Sequence, residues 1–452
     1  MAIAGAQRKL VLKILMISLL LDLISFTFIL PLFPSLLSFY RANDPSPTSL
    51  LTRILHYLNA YKNAFARPID STYDIVLLGG ALGSLFSLLQ ALAAPIIGHL
   101  SDRHGRRPAL LFSMIGNIAS VALWVSATDF RTFLASRVVG GLSEANVQLA
   151  DAIVGDVSDE KGRSGCMALI GACFSIAFTF GPILGASLAG VGVVKSNPFV
   201  VAAAVSLGFV VVETAFIWWF LPETHPAFTS LVKEGETRET GTGTGTKTEK
   251  KEGTVQEEKY VRTNNPVILN ALHFLFLLPF SGLEFSLPFL TATLYAGISD
   301  ASPAALNGRL LSLMGLIASL LQGTLVRRLP PLITIRVGVV ACAISFFLLA
   351  RVDSVQGLYA AGGLLAVTSA TVVTGLKSLG SFETRDKDRG AVMGRLRGWG
   401  QAGRATGPIL FCSLFWWAGR EAAYDVGGVA MIVVVVAVFT LLKAPKVHAK
   451  TE

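Results

Sequence analysis

Cysteine is scarce in this chain: four occur in 452 residues, and Cys166, Cys173, Cys342 and Cys412 each fall inside an apolar run. Placed there as small packing groups, they offer no disulfide framework and no zinc-type spacing with histidine, so no metal is expected. Charge is scarce too, with 15% Asp, Glu, Lys and Arg against 52% hydrophobic residues and a mean hydropathy of +0.61. A soluble protein carries about 25% charged residues, so the composition points away from a soluble enzyme. There is no G-x-x-x-x-G-K-[ST] loop, which excludes an ATP-driven pump of the common kind, and no G-x-S-x-G elbow. No cofactor motif is present either, and enzymatic function is not indicated. The net charge of +9 could invite nucleic acid, but its distribution argues otherwise. The basic residues sit in short loops that alternate helices place on one side, as the positive-inside rule requires.

What is present is a series of apolar runs long enough to cross about 30 Å of hydrocarbon. They lie near 11–34, 75–97, 108–128, 132–155, 164–189 and 198–221, then near 267–294, 306–326, 333–351, 354–377, 390–417 and 421–443. The predicted fold class is an all-α membrane protein with twelve transmembrane helices in two six-helix halves, residues 1–229 and 266–452. Residues 1–30 start basic and turn apolar as a signal peptide does. The run is too long for one, contains Asp22, and has no small-residue cleavage site ahead of Pro31 and Pro34, so it reads as the first helix. In the outside loop 35–74, Leu51, Ile54, Leu55, Leu58, Tyr61 and Phe65 recur at helical spacing, predicting a helix on the membrane surface or against the outer mouth. Residues 230–265 shift to Gly, Thr, Lys and Glu and read as a disordered cytoplasmic linker. The bias of basic loops puts both termini in the cytoplasm. Outside loops lack N-x-[ST] sequons and the chain lacks retention signals, so a plasma membrane and an internal membrane are equally open.

The halves echo each other. Arg163 is followed by Met167 and then Gly181-Pro182-Ile183-Leu184, and Arg389 by Met393 and then Gly407-Pro408-Ile409-Leu410, all at an offset of 226 residues. Gly98-His99-Leu100 returns as Gly323-Thr324-Leu325 at an offset of 225, with Arg327 where Asp102 stood. Duplicated halves are a trait of transporters.

The stretch from Gly98 to Pro108 sets four basic side chains within five residues between two apolar runs. A buried Arg at mid-depth costs about 3 kcal/mol on insertion scales, so this is a short loop at the membrane face. Gly98 and Gly105 allow a sharp turn, and Pro108 suits a first helical turn. A merely basic loop would need neither glycine nor the lone acid Asp102. The stretch resembles the G-x-L-a-D-r-x-G-r-r signature of the major facilitator superfamily. Leu221-Pro222-Glu223-Thr224-His225 is similar to the sequence closing the sixth helix of bacterial tetracycline/proton antiporters, and the likeness covers nearly the whole chain outside the middle loop. By that resemblance Asp102 caps the segment starting at Gly390. Gly98, Arg103, Gly105, Arg106 and Arg107, with Asp156, Arg163 and Arg389, then form a cytoplasmic gate in which Asp156 meets Arg103, Arg106 or Arg163.

Ionisable residues deep in the spans are the candidate substrate and coupling groups, because each costs free energy unless paired or in a wet cavity. Asp22 lies about twelve residues into the first span, near the midplane. It is similar to the acid of the family's first-helix L-D motif; a packing role, held by hydroxyls, is the alternative. Arg137 and Glu144 are seven residues apart, on one helical face. The stretch Arg137-Val138-Val139-Gly140-Gly141 resembles the R-x-x-x-G motif of proton coupling, against a purely structural ion pair. Arg395 and Arg397 lie near the cytoplasmic end of span eleven and can snorkel, whereas Arg404, about fifteen residues in, cannot. Its forked guanidinium either binds an anionic cargo or is neutralised by Glu284 or Asp22. The run Gly181, Pro182, Ile183, Leu184, Gly185 resembles the superfamily's antiporter signature, with Ala186 where a second Gly is usual. Pro182 and Pro408 would kink their helices, and Gly181, Gly185 and Gly407 would permit close approach, with packing alone as the competing reading.

The resemblance implies a secondary active transporter in the lipid bilayer that moves a small organic solute, an organic anion or drug-like compound, by antiport with protons and alternating access, as a monomer. A facilitator or symporter of a small metabolite, and a transport-inactive receptor or scaffold, remain open at this point. The last would be expected to lose its buried charges, and these are kept.

Overall fold

The structure, a computed structural model, describes residues 5–29, 32–43, 46, 48–64, 74–189, 191, 197–228, 262–295 and 303–445. The elements among them are helical: α1 (Gly5–Thr27), α2 (Phe33–Asn43), α3 (Leu50–Asn63), α4 (Asp74–His104), α5 (Arg106–Val125), α6 (Phe130–Ser143), α7 (Asn146–Val157) and α8 (Glu160–Ala189). They continue with α9 (Val200–Phe220), α10 (Pro266–Tyr295), α11 (Pro303–Thr324), α12 (Pro331–Ala350), α13 (Val355–Phe382), α14 (Arg389–Ala418) and α15 (Arg420–Leu441). Ten of the helices among the described residues are long and apolar enough to cross a membrane. Large apolar side chains point outward along them, among them Ile96, Phe112, Val267 and Trp219. Such a surface suits hydrocarbon, and a helix keeps its backbone hydrogen bonds internal there.

The two predicted spans missing from those ten differ for physical reasons. The run 132–155 is not one helix but two, α6 and α7, interrupted at Glu144 and Ala145. The Ser113 hydroxyl of α5 fills the gap, donating to the Ser143 carbonyl at 2.5 Å and accepting from the Ala145 amide at 3.1 Å. The other, α14, is a single 30-residue helix whose arginines and glycines lower its hydropathy.

The apolar core divides along the chain. One cluster runs from Leu269 to Leu442, with Leu77 as its only member from before residue 269; the other two large clusters lie within 11–221 and within 29–203. Between the two groups, α4 and α14 run close together, because a Cβ on Gly398 would stand 2.9 Å from the Ala91 carbonyl oxygen and one on Gly394 3.2 Å from Pro95 Cα. Small residues replace the hydrophobic effect as the means of helix contact where both partners are already in lipid.

The predicted loop helix is α3, capped by Ser49, whose Oγ accepts from the Thr52 amide at 3.1 Å. It lies against the helices: the Tyr61 hydroxyl is 2.8 Å from Ser413 Oγ and donates to the Ile409 carbonyl at 3.3 Å, both on α14. Phe65 is outside the described residues. Ahead of α3 stands α2, which the sequence reading divided between the first span and the loop; its Tyr40 is buried and donates to the Ala127 carbonyl at 3.2 Å. Most of the predicted linker 230–265 also lies outside the described residues. Within its last part, the Thr263 and Asn264 amides donate to the Glu383 carboxylate at 2.8 and 2.9 Å.

Candidate functional site

Two groups of charges organise the molecule. The first is at the end of the bundle that carries the 98–108 turn. Helix α14 starts at Arg389, and its N-cap Asp388 makes no side-chain cap bond. Its first amides therefore present unpaired donors and the positive end of the helix dipole. Asp102, at the end of α4, takes them: the Gly390 amide donates to Oδ1 at 2.8 Å and the Ala391 amide to Oδ2 at 2.7 Å. Gly98 makes room, since a Cβ there would enter the Gly390 backbone.

Arg106 is 0% exposed and sits between two acids. Nη1 donates to Asp102 Oδ1 at 2.6 Å and to Ser101 Oγ at 2.8 Å, while Nε donates to Asp156 Oδ2 at 2.7 Å. The other oxygen of Asp156 accepts from Arg389, whose Nε donates to Thr384 Oγ1 at 3.2 Å. Asp156 thus joins α5 to α14, and its partners are Arg106 and Arg389. Arg163 points to α13 instead, donating to the Ser381 carbonyl at 3.1 Å with its guanidinium 5.1 Å above the Phe382 ring. Arg103 is exposed. Arg107 donates to the Trp218 carbonyl and lies 5.8 Å over that ring.

Gly105 has φ +102°, a left-handed conformation that favours glycine, and a Cβ there would stand 2.5 Å from Glu223 Oε2. That approach lets Glu223 accept from the Arg106, Arg107, Thr224 and His225 amides at 2.9, 3.1, 2.9 and 2.8 Å. Glu223 does for α5 what Asp102 does for α14. Beside it, burial first and the Arg106 charge second push the His225 imidazole below its ordinary pKa. The capping role of Glu223 and the hold of Glu383 on the Thr263 and Asn264 amides were missed in the sequence, where only the motif around Glu223 stood out.

The second group lies along the helices. A cavity is lined by Asp22, Arg137 and Glu144 together with Asn117, Ser25 and Ser206. Asp22 is 3% exposed and its Oδ2 is buried with no hydrogen-bond partner. Arg137 and Glu144 share the cavity without an ion pair within 4.0 Å; the Arg137 Nε donates to Ser136 Oγ at 3.3 Å and the guanidinium lies 5.7 Å over Phe133. Glu284 and Arg404 are elsewhere, on α10 and α14, with Glu284 Oε2 3.5 Å from Arg404 Nη2. Glu284 is therefore the acid that faces Arg404, and Asp22 is not.

Two embedded groups were not singled out by the sequence reading, and a third is placed differently from its expectation. Lys377 of α13 reaches Asp151 of α7 at 2.8 Å. Glu213 of α9 is 0% exposed and accepts from Ser18 Oγ at 2.6 Å. Arg397, expected to snorkel, turns inward to Gln90 Oε1 at 3.5 Å, and only Arg395 is exposed. The rule that found Asp22, a lone acid in an apolar run, also applies to Glu213.

Pro182 and Pro408 lie inside α8 and α14, which run on past them. Gly181 and Gly185 face Thr27 and the Phe28 backbone, and Gly407 faces Leu278 and Ser281 of α10. Among the described residues no group of His, Cys, Asp and Glu has the arrangement of a metal site.

A sequence profile of the Major Facilitator Superfamily matches residues 15–381. The chain is 34% identical to mouse major facilitator superfamily domain-containing protein 10, over 93% of this chain and 90% of that one. It superposes on the crystal structure of the human organic anion transporter MFSD10 (TETRAN) with a TM-score of 0.80 at 32% identity, covering 95% of this chain and 99% of that one. It is also 35% identical to the class C tetracycline resistance protein of Escherichia coli, over 28% of this chain and 32% of the other. An all-helical bundle with many membrane-length helices, clasped through its 98–108 turn and matched over most of its length, belongs to the Major Facilitator Superfamily of integral multi-pass membrane proteins.

Proposed function

We propose that this protein is a secondary active transporter exchanging a small organic anion for protons by alternating access, as a monomer of twelve spans in two six-helix halves, residues 1–229 and 266–452. On this reading α6 with α7 forms span four and α14 span eleven. The observation that carries it is the opposite sign of the embedded charge. The N-terminal half holds Asp22, Glu144, Asp151 and Glu213 against Arg137, and the C-terminal half holds Lys377, Arg397 and Arg404 against Glu284. Acids in one half can load and release protons, while cations in the other meet the cargo. Arg397 has no carboxylate within 4.0 Å among the described residues, and the Arg404–Glu284 pair is long and partly exposed, at 42% and 35% of the two side chains. A carboxylate on the cargo competes with Glu284 for a guanidinium able to bind it bidentately. The clasp of Asp102, Arg106, Asp156 and Arg389 closes the side that holds both termini, the cytoplasmic side by the bias of basic loops. The relative described as an organic anion transporter supports the cargo class.

The test is uptake and efflux of a labelled organic-anion panel in proteoliposomes, with and without an imposed pH gradient, for wild type and Arg404→Ala. Anion flux should follow the gradient and fall about tenfold or more in the variant, the loss of one charge-assisted contact, while neutral drugs still move. Wild-type flux indifferent to the gradient would end the coupling reading.

A further inference from the structure

Two polar rungs join α1 to α9. In one, the Ser25 and Ser206 hydroxyls lie 2.7 Å apart, and each also reaches the other residue's carbonyl, at 3.1 and 3.3 Å. In the other, Ser18 Oγ donates to Glu213 Oε1 at 2.6 Å. The rungs are seven residues apart on both helices and run in opposite order, two turns of an antiparallel pair. Ser25 and Ser206 line the cavity with Asp22, and Asp22 lies one turn from Ser18 on the same face of α1. The polar seam therefore leads from the cavity inward and stops at Glu213.

There it ends blind. Glu213 is 0% exposed, and its Oε2 is buried with no hydrogen-bond partner; Asp22 Oδ2 is in the same condition. The charged groups facing Glu213 are the acids Asp22 and Glu144. The basic residues of α1, Arg8, Lys9 and Lys13, precede this level, and Lys13 is exposed. The other helices packed on α9 carry charge only at their starts, Arg106 and Arg107 on α5 and Glu160, Lys161 and Arg163 on α8. A packing role explains the Ser18 bond but leaves a carboxylate oxygen without a donor in a site with no cation among the described residues, an arrangement a bound proton resolves.

Resting on the proton-exchange reading above, we infer that Glu213 is a second proton-holding site, which takes up one proton through Asp22 in addition to the one Asp22 itself carries. The proton leaves an oxygen of Asp22, binds Oε2 of Glu213 and returns by the same route. Ser18 donates to Oε1 throughout, and no other bond forms or breaks.

Glu213→Gln keeps the size of the side chain and an acceptor for Ser18 but cannot take up or release a proton. The full-length protein is compared with this variant in two ways: steady accumulation of a labelled organic anion in proteoliposomes under a pH gradient of one unit, and infrared difference spectra on a pH jump in the carboxylic-acid carbonyl region. The variant should sustain about tenfold less accumulation, one proton's worth across one pH unit, and should lack one carboxylic band. If the variant folds poorly, Ser18→Ala retains the carboxyl and should shift the same band. Wild-type accumulation that follows the gradient, with Glu213→Gln equal to it in transport and in spectrum, overturns the inference and leaves the coupling reading standing. Wild-type accumulation that ignores the gradient removes the coupling reading, and the inference with it.

Discussion

The turn at 98–108 and the stretch that echoes it, from Gly323 to Arg327, do different work. At the first, Asp102 caps α14 and Arg106 is buried between Asp102 and Asp156. At the second, Arg327 stands in place of the acid; Arg327 and Arg328 are exposed, and the turn meets α8 by backbone, the Arg327 carbonyl oxygen standing 3.1 Å from where a Cβ on Gly165 would be. Beside the contacts of Arg163 with Ser381 and Phe382, the seam there is built from neutral pairs: Ser164 Oγ lies 2.8 Å from Ser378 Oγ, Ser175 donates to Gln322 at 2.7 Å, and Gln322 donates to the Ala370 carbonyl at 3.2 Å. Hydrogen bonds to charged groups contribute about 1.5–3 kcal/mol and neutral ones about 0.5–1.5 kcal/mol. The two seams differ as a strong latch and a weaker one.

That contrast can be broken from its strong end. Asp156→Ala leaves Arg106 and Arg389 facing each other without their shared acid, and loss of one member of a buried pair costs about 3–5 kcal/mol. Thermal unfolding of the purified protein should show the largest drop of any single clasp change; an unaltered unfolding temperature would contradict the latch. Asp102→Asn keeps an acceptor for one of the two amides but removes the charge at the start of α14, a loss of about 1 kcal/mol. Abundance in the membrane should stay near wild type while transport falls, and normal transport by a properly inserted protein would refute the role given to Asp102. Ser164→Ala sharpens the comparison from the other seam. Removing one neutral bond should cost about 0.5 kcal/mol, so a fall in unfolding temperature as large as that of Asp102→Asn would show that the seams are alike.

The length and position of the apolar runs were legible because a membrane sets a fixed minimum for each of them. The break at Glu144 was not, since it depends on the Ser113 hydroxyl arriving from α5. Capping in trans was legible for Asp102 only through family resemblance, and the bond of Glu383 to the Thr263 and Asn264 amides, ahead of α10, was not legible at all, because sequence does not show which distant carboxylate meets a free amide. Arg397 sat close enough to a helix end for either direction, and packing against α4 decided it. The embedded acids were readable as costly residues, while their partners, Ser18 for Glu213 and Lys377 for Asp151, are contacts between distant parts of the chain.

Helix α14 meets α4 through Gly390, Gly394 and Gly398 and meets α10 through Gly403 and Gly407, with backbone or packed side chains where each Cβ would be. Every missense change of a glycine codon introduces a Cβ, so inheritance offers this helix no conservative alternative at those positions. Harmful variants should accordingly concentrate along one helix that carries none of the embedded acids, and the genetic map of this protein would trace where α14 touches α4 and α10 before it traced the buried charges.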